Sequence, residues 1–120
     1  MRPHFRFEDL EIWQLAREMA VLLHRIAGNL YAARYYKYAE QLRSAGLSIA
    51  NNIAEGSGSI HEQEFLQFLN IARRSLFEDA SMILIFEELK IIETEQVDQL
   101  LERCDKLSRK ITTFSQAIKR

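Results

Sequence analysis

Residues 94–118, which read TEQVDQLLERCDKLSRKITTFSQAI, decide the fold. Two series of apolar residues recur in this stretch at every seventh position, namely Val97, Cys104, Ile111 and Ile118, and Leu100, Leu107 and Phe114. A spacing of seven places both series along one seam of an α-helix, where neighbouring helices pack at a shallow crossing angle. The stretch therefore predicts a bundle of long helices.

Three more helices are predicted before this stretch. Helix breakers are scarce, because the chain has one proline, Pro3, and four glycines. Apolar residues recur at helical steps over about 8–27, 33–55 and 59–90, and the first two stretches are followed by Gly28-Asn29 and Gly56-Ser-Gly58, which suit helix ends. Ser59-Ile-His-Glu62 has the form of a capping box at the start of the third. We therefore predict an all-α fold, an antiparallel up-down-up-down four-helix bundle with left-handed crossings, in which residues 1–120 form a single domain.

Composition limits the class of protein. The 120 residues are 48% hydrophobic and 28% charged, as in an ordinary folded domain. The net charge is -1, so the chain as a whole lacks the basic field of a dedicated nucleic-acid protein. Cys104 has no disulfide partner, no apolar signal segment opens the chain, and the apolar runs are too short to span a membrane. We expect a cytoplasmic protein without a membrane partner.

No residue pattern predicts an enzyme, a metal or a cofactor. The three histidines lie on different segments, and no two have the spacing that places metal ligands on one helix face. Cys104 lies on the heptad seam and is interpreted as a small buried hydrophobe. We therefore expect no catalytic residue, no metal and no cofactor. An enzyme would need a pocket, and the first residues to inspect in it would be Glu55, Glu64, Glu78 and His61.

A polar face interrupts the second predicted helix. Gln41, Ser48 and Asn52 share one side of it at steps of seven and four, with the small residues Ala45 and Gly46 between them. Small residues allow two helix backbones to approach closely, and buried polar side chains need hydrogen-bond partners. We predict a buried network that fixes the register of the bundle, and a ligand-binding site is the alternative interpretation. The predicted members are Gln41, Ser48, Asn52, Glu55, Glu64, Ser75 and Glu78.

Charge is distributed unevenly along the chain. Residues 62–102 contain ten acidic and three basic residues, whereas residues 103–120 contain six basic residues and one acidic residue. Basic residues near a helix C-terminus complement the helix dipole, which is one interpretation. The other is a strip that binds the phosphates of a nucleic acid, with the tyrosines between Tyr31 and Tyr38 as stacking partners for bases. Its predicted contacts are Arg34, Lys37, Arg43, Arg103, Lys106, Arg109 and Lys110.

The sequence also predicts self-association. Met82-Ile-Leu-Ile-Phe86 covers every direction around the third helix, yet the core of one bundle can face only one side of it. Some of these side chains must therefore meet another surface. Other large apolar residues lie outside the main apolar stripes, and a soluble monomer rarely exposes so much apolar area. The predicted interface contains Trp13, Tyr35, Phe77, Met82, Ile85 and Phe86.

Several segments resemble one protein family. Ser48-Ile-Ala-Asn-Asn-Ile-Ala-Glu-Gly56, preceded by Gln41-Leu-Arg43, is similar to the signature of the small four-helix-bundle proteins encoded in intervening sequences of bacterial 23S ribosomal RNA genes. The resemblance covers most of the chain, because Phe7-Glu-Asp-Leu-Glu-Ile-Trp-Gln14 and Glu64-Phe-Leu-Gln-Phe-Leu69 also match. Two residues depart from the family pattern: Arg74 stands where glycine is usual, and Asp79 stands where an apolar residue is common.

The resemblance implies a homo-oligomer. Similar proteins are described as homopentamers, and a related branch, the accessory proteins of diversity-generating retroelements, forms pentameric barrels that bind nucleic acid and a reverse transcriptase. We therefore expect a non-enzymatic, homo-oligomeric and pentameric module that binds or holds RNA, DNA or a nucleic-acid enzyme. The alternative is a purely structural or protein-interaction bundle without affinity for nucleic acid, because this chain lacks the strongly basic character of that branch.

Overall fold

Four long helices form the molecule in a computed structural model that describes residues 1–119. A 3₁₀ turn at Arg6–Asp9 precedes α1 (Glu11–Ala32), α2 (Tyr36–Ser57), α3 (Glu62–Glu88) and α4 (Thr94–Lys119). Residues 1–119 contain no strand, which confirms the predicted all-α fold. Within the same range, no helix is both long and apolar enough to cross a membrane.

Helices α2 and α3 run in opposite directions. Ser48 and Ser75, each near the middle of its helix, lie in contact, whereas Gly56 at the end of α2 lies against Phe65 near the start of α3. Each helix contacts the next one along the chain, and α4 closes the bundle against α1 with the least extensive contact. The four helices therefore form a bundle, and its up-down-up-down order and the handedness of its crossings stay predictions.

The core contains the apolar seam of every helix. In α4 the buried residues are Val97, Leu100, Cys104, Leu107 and Ile111, so the heptad seam faces inward over most of its length. The last seam residues, Phe114 and Ile118, are partly buried against the same core. The large, fully buried apolar side chains from the other helices are Met19, Leu23, Leu42, Ile49, Ile53, Leu69, Leu76 and Ile83.

The end of α1 lies beyond the predicted one. Gly28 is followed by further helix as far as Ala32, because Leu30 is part of the core. The helix ends where Arg34 takes a φ of 73°, in the left-handed region, and the amides of Arg34 and Tyr35 donate to the carbonyls of Tyr31 and Leu30. This is a Schellman motif without glycine at its left-handed position. The second helix consequently begins at Tyr36 and not at residue 33.

Two other helix ends also differ from the prediction. A second Schellman motif, with Lys90 at a φ of 62°, ends α3 at Glu88 and not at residue 90. The predicted capping box is wrong, because α3 begins at Glu62, three residues after Ser59. The Ser59 hydroxyl instead accepts the amide of His61 at 3.2 Å and donates to the Glu64 carboxylate at 2.6 Å. Such a local serine turn competes with helix capping.

Two glycines of α2 mark close contacts between helices. A Cβ atom at Gly46 would lie 3.0 Å from Cδ1 of Leu23 in α1. A Cβ atom at Gly56 would lie 2.7 Å from Cβ of Phe68 and 2.8 Å from Cδ1 of Phe65, both in α3. Gly56 is buried inside the last turn of α2, so it is required for packing and not only for ending the helix.

Replacing Gly56 with alanine tests this close contact. Gly56→Ala should lower the free energy of unfolding by about 1 to 3 kcal/mol, because the new methyl group overlaps two phenylalanine side chains. Gly28→Ala is the matched control: Gly28 is exposed in α1 with nothing within 4 Å, so alanine there should raise the free energy by about 0.5 to 1 kcal/mol. Urea unfolding measures both, and a change of the same sign in the two variants would contradict the packing argument.

Candidate functional site

Three of the seven residues predicted to form a polar network meet between α2 and α3. The hydroxyl oxygens of Ser48 and Ser75 are 2.9 Å apart. Nδ2 of Asn52 donates to the hydroxyl oxygen of Ser48 at 2.9 Å and to its carbonyl oxygen at 2.7 Å. Ser75 is buried, and Ser48 and Asn52 are partly buried. This serine–asparagine group therefore links α2 to α3 through one uncharged hydrogen bond, and Asn52 supports Ser48 from within α2.

The other four predicted members lie in solvent. Gln41, Glu55, Glu64 and Glu78 are exposed, and none of them bonds to the serine–asparagine group. Glu64 is bonded to Ser59 in the connector instead. The network is thus smaller than predicted. The three glutamates stay outside it because burial of a carboxylate without a cationic partner is unfavourable.

A carboxyl group that the sequence analysis left out of the network lies in the core. Asp79 is 0% exposed, and neither of its carboxyl oxygens has a hydrogen-bond partner within residues 1–119. Burial, together with the charge of Glu78, raises the pKa of Asp79 to about 8. The group is therefore mainly protonated at neutral pH, which avoids a buried charge. Spacing carries the signal that places it here: Leu76, Asp79, Ile83 and Phe86 follow each other at steps of three, four and three.

The single thiol lies in the same core. Cys104 is buried, and its Sγ atom is 3.9 Å from Sδ of Met19. Burial and the nearby Asp79 raise the pKa of the Cys104 thiol to about 12, so the reactive thiolate form is suppressed. Within residues 1–119, no three His, Cys, Asp or Glu side chains come together in a way that could hold a metal ion.

The residues predicted to contact nucleic acid do not form one patch. Arg34 and Lys37 are exposed beside the connector between α1 and α2. Arg109 and Lys110 lie far along α4 and face carboxylates: Arg109 pairs with Asp105, and Nζ of Lys110 is 3.0 Å from the carboxylate of Glu11. The predicted strip is therefore divided and partly neutralised.

The remaining residues predicted to contact nucleic acid are Arg43 on α2 and Arg103 and Lys106 on α4. Arg43 is partly buried, and its Nε atom is buried without a hydrogen-bond partner in the described chain. Arg103 and Lys106 line a groove of about 590 Å³ between α1 and α4, and Glu18 and Glu102 line the same groove. This groove therefore has no net positive charge from its lining residues.

The six residues predicted to form an oligomer interface fall into three groups by exposure. Phe86 is wrongly assigned, because it is only 2% exposed and belongs to the core. Trp13 and Met82 are partly buried, and the Trp13 ring packs against Phe7. The exposed members are Tyr35, Phe77 and Ile85.

A second groove, between α3 and α4, has a different lining that sequence reasoning missed. It has a volume of about 710 Å³ and an apolar floor formed by Leu66, Leu69 and Ile111. The sequence contains part of the information needed to find this groove, because Gln63, Gln67 and Asn70 recur on α3 at steps of four and three and therefore share one face. The polar residues that line this α3–α4 groove are Gln63, Gln67, Asn70, Arg73, Thr112, Ser115, Gln116 and Lys119.

Comparison with known proteins identifies a family and a shared fold. The model of the family described as 23S rRNA-intervening sequence protein matches residues 8–113. The crystal structure of a protein of unknown function from the S23 ribosomal protein family of Bacteroides thetaiotaomicron superposes with a TM-score of 0.83. It is 19% identical in sequence, and the match covers 87% of this chain and 97% of that chain, so this likeness shows the fold alone. No curated protein matches the chain.

Asp79 should make stability depend on pH. Its pKa is raised on folding, so the unfolded chain loses the proton first, and the free energy of unfolding should fall as pH rises from about 5 to about 8. Asp79→Leu should remove this fall and raise the free energy of unfolding at neutral pH by about 2 to 4 kcal/mol. The pKa of His4 is raised by its hydrogen bond to Asp9, but both proteins share this effect, so it cancels in their difference. A difference that does not vary with pH would contradict the assignment.

The serine–asparagine group should contribute to stability. Asn52→Ala should lower the free energy of unfolding by about 1 to 3 kcal/mol, because it removes both donor contacts to Ser48. Asn51→Ala is the matched control, since Asn51 is the exposed neighbour on the same helix and should change the free energy by less than about 0.5 kcal/mol. Equal melting temperatures for the two variants would show that the group adds nothing to stability.

Proposed function

The chain belongs to the 23S rRNA-intervening sequence protein family, and from this premise we propose that it is a non-enzymatic, homo-oligomeric module that binds or holds other molecules. The observation that carries the proposal is the apolar surface left exposed on α3. Ile71, Ile85 and Leu89 have 41%, 53% and 50% of their surface exposed, although long apolar side chains usually lie in a core.

These residues share one face of the helix. Ile71, Met82 and Ile85, with Leu89 directly after the helix, follow each other at steps of eleven, three and four, which places these apolar side chains along one side of α3. We call this set the outer stripe of α3. The opposite face of α3 is already used by the core, so one bundle cannot cover the outer stripe.

A second copy of the chain is the occupant that we propose for the outer stripe. The net charge of -1 is small, so two copies repel each other only weakly. The outer stripe of one copy can pack against a different surface of the next copy. When the rotation between successive copies divides a full circle evenly, this contact produces a closed ring in which the stripe of every copy is covered. Five copies is the number that the family resemblance implies.

A role without catalysis agrees with the positions of the two groups whose chemistry is most perturbed. Asp79 and Cys104 are buried in the core, so neither can touch a substrate at the surface. Both groups are also held in their protonated forms at neutral pH. A cytoplasmic location is part of the same proposal, since a single buried thiol needs no oxidising compartment.

The partner that we propose for the module is a nucleic acid or an enzyme that acts on one. The seven basic residues first assigned to such contacts give this proposal little support, because they are dispersed and partly paired with acids. The α3–α4 groove gives it more support, because no acidic residue lines it. A purely structural or protein-interaction bundle is the alternative, and an absence of nucleic-acid binding at low salt would favour it.

Light scattering tests self-association through the outer stripe. We expect the protein to have the mass of several 14.1 kDa chains, or about 70 kDa for five. Ile85→Glu should dissociate the assembly, because the new carboxylate would be desolvated in the contact. Leu84→Glu is the matched control: Leu84 is 49% exposed on the same helix but lies outside the stripe, so this variant should keep its mass.

Three results would contradict parts of this proposal. A wild-type mass near 14.1 kDa would contradict self-association altogether. A stable dimer would contradict the pentamer and leave the outer stripe as the contact. Equal dissociation by Ile85→Glu and Leu84→Glu would contradict the assignment of the contact to the outer stripe.

A further inference from the structure

The α3–α4 groove has the features of a site for an extended polyanion. We propose that it binds single-stranded nucleic acid, with Arg73 and Lys119 on phosphates and the side-chain amides on base edges. The inference rests on the proposed role as a binding module and names its binding surface and ligand. It does not depend on the number of copies in the assembly.

The charge of the groove differs from that of its surroundings. Residues 62–102, which include all of α3, contain ten acidic residues against three basic ones. None of these acidic residues lines the groove, whereas Arg73 and Lys119 both do. The groove is therefore a local cationic channel on a chain whose net charge is -1, and it would attract a chain of phosphates.

Arg73 is held in place without a carboxylate partner. Its guanidinium carbon lies 4.7 Å from the centre of the Phe77 ring, one helical turn along α3. Its Nε atom is buried and has no hydrogen-bond partner within residues 1–119, and Arg73 forms no ion pair in that range. Stacking on Phe77 thus orients the cation and leaves its charge available to an anionic ligand.

The side-chain amides favour a nucleic acid over an acidic peptide. Gln63, Gln67 and Asn70 on α3 face the groove together with Gln116 on α4. Each amide offers both a donor and an acceptor, and base edges present the same mixture. The carboxylate side chains of an acidic peptide only accept hydrogen bonds, so those side chains cannot bond to the amide oxygens. The lining therefore fits a ligand that alternates phosphates with bases.

The shape of the groove favours an unpaired strand. Gln63 and Arg73 are ten residues apart on α3, which corresponds to about 15 Å, or roughly four stacked nucleotides. Leu66 is the partly exposed apolar residue of the groove, since Leu69 and Ile111 are buried, and the Phe77 ring, which is 55% exposed, adjoins Arg73 beyond one end of the lining. Bases can reach these apolar surfaces only when they are not paired in a duplex.

Fluorescence anisotropy with a labelled oligouridylate of about 12 nucleotides tests the proposal on the full chain. Arg73→Gln should weaken binding at low salt by about tenfold and should reduce the slope of log affinity against log salt by about 0.7. Arg74→Gln is the matched control: it makes the same charge change at the next residue, which is exposed and does not line the groove, so affinity should change less than about twofold.

Two further variants keep the test independent of folding. Lys119→Gln changes an exposed residue at the end of α4 and should weaken binding by several-fold, and thermal unfolding shows whether each variant remains folded. Phe77→Leu should weaken oligouridylate binding by about fivefold or more, because a base loses its stacking partner. Polyglutamate has no bases to stack and uses Phe77 only through the orientation of Arg73, so the same variant should weaken any binding of polyglutamate less.

Four results would overturn the proposal. They are no binding of oligouridylate at low salt, equal loss of affinity in Arg73→Gln and Arg74→Gln, tighter binding of a duplex than of the single strand, and polyglutamate that binds as tightly as the oligonucleotide. Light scattering on the same samples reports the assembly separately. A failure of the groove proposal is therefore distinguishable from a failure of self-association.

Discussion

The close approach of α2 to its two neighbours is the constraint on which the rest of the structure depends. Gly46 brings α2 against Leu23 of α1, and Gly56 brings it against Phe65 and Phe68 of α3. One uncharged hydrogen bond between Ser48 and Ser75 joins α2 to α3 at a position between the two glycines. Because α2 contacts both neighbours so extensively, α4 is left to close the bundle from the outside, and grooves remain along its two edges.

This arrangement divides α3 into regions with different roles. One face supplies the core and carries Asp79, whose protonated carboxyl group the apolar surroundings can accept. The outer stripe has no partner in a single bundle, and the edge next to α4 lines the cationic groove. Self-association and ligand binding would therefore use separate surfaces of one helix, so a ring of copies could leave every groove open.

Features that depend on local spacing could be predicted, and features that depend on helix rotation could not. The heptads of α4 located its buried face, and the small residues around Gly46 indicated a close helix contact, because both are properties of one helix. The ends of α1 and α3 were misplaced because Arg34 and Lys90, and not glycines, occupy the left-handed positions. The α3–α4 groove was missed because Arg73 and Lys119 are far apart in sequence, and only the rotation of the two helices brings them to one groove.

Native mass spectrometry of the protein with a short single-stranded oligonucleotide tests the central claim most directly. If each copy contributes its own groove and the outer stripe holds the copies together, the assembly should stay intact and bind one strand per chain. The number of strands bound at saturation should then equal the number of 14.1 kDa chains. A single chain in the free protein, or an assembly that dissociates when the strand binds, would contradict the account.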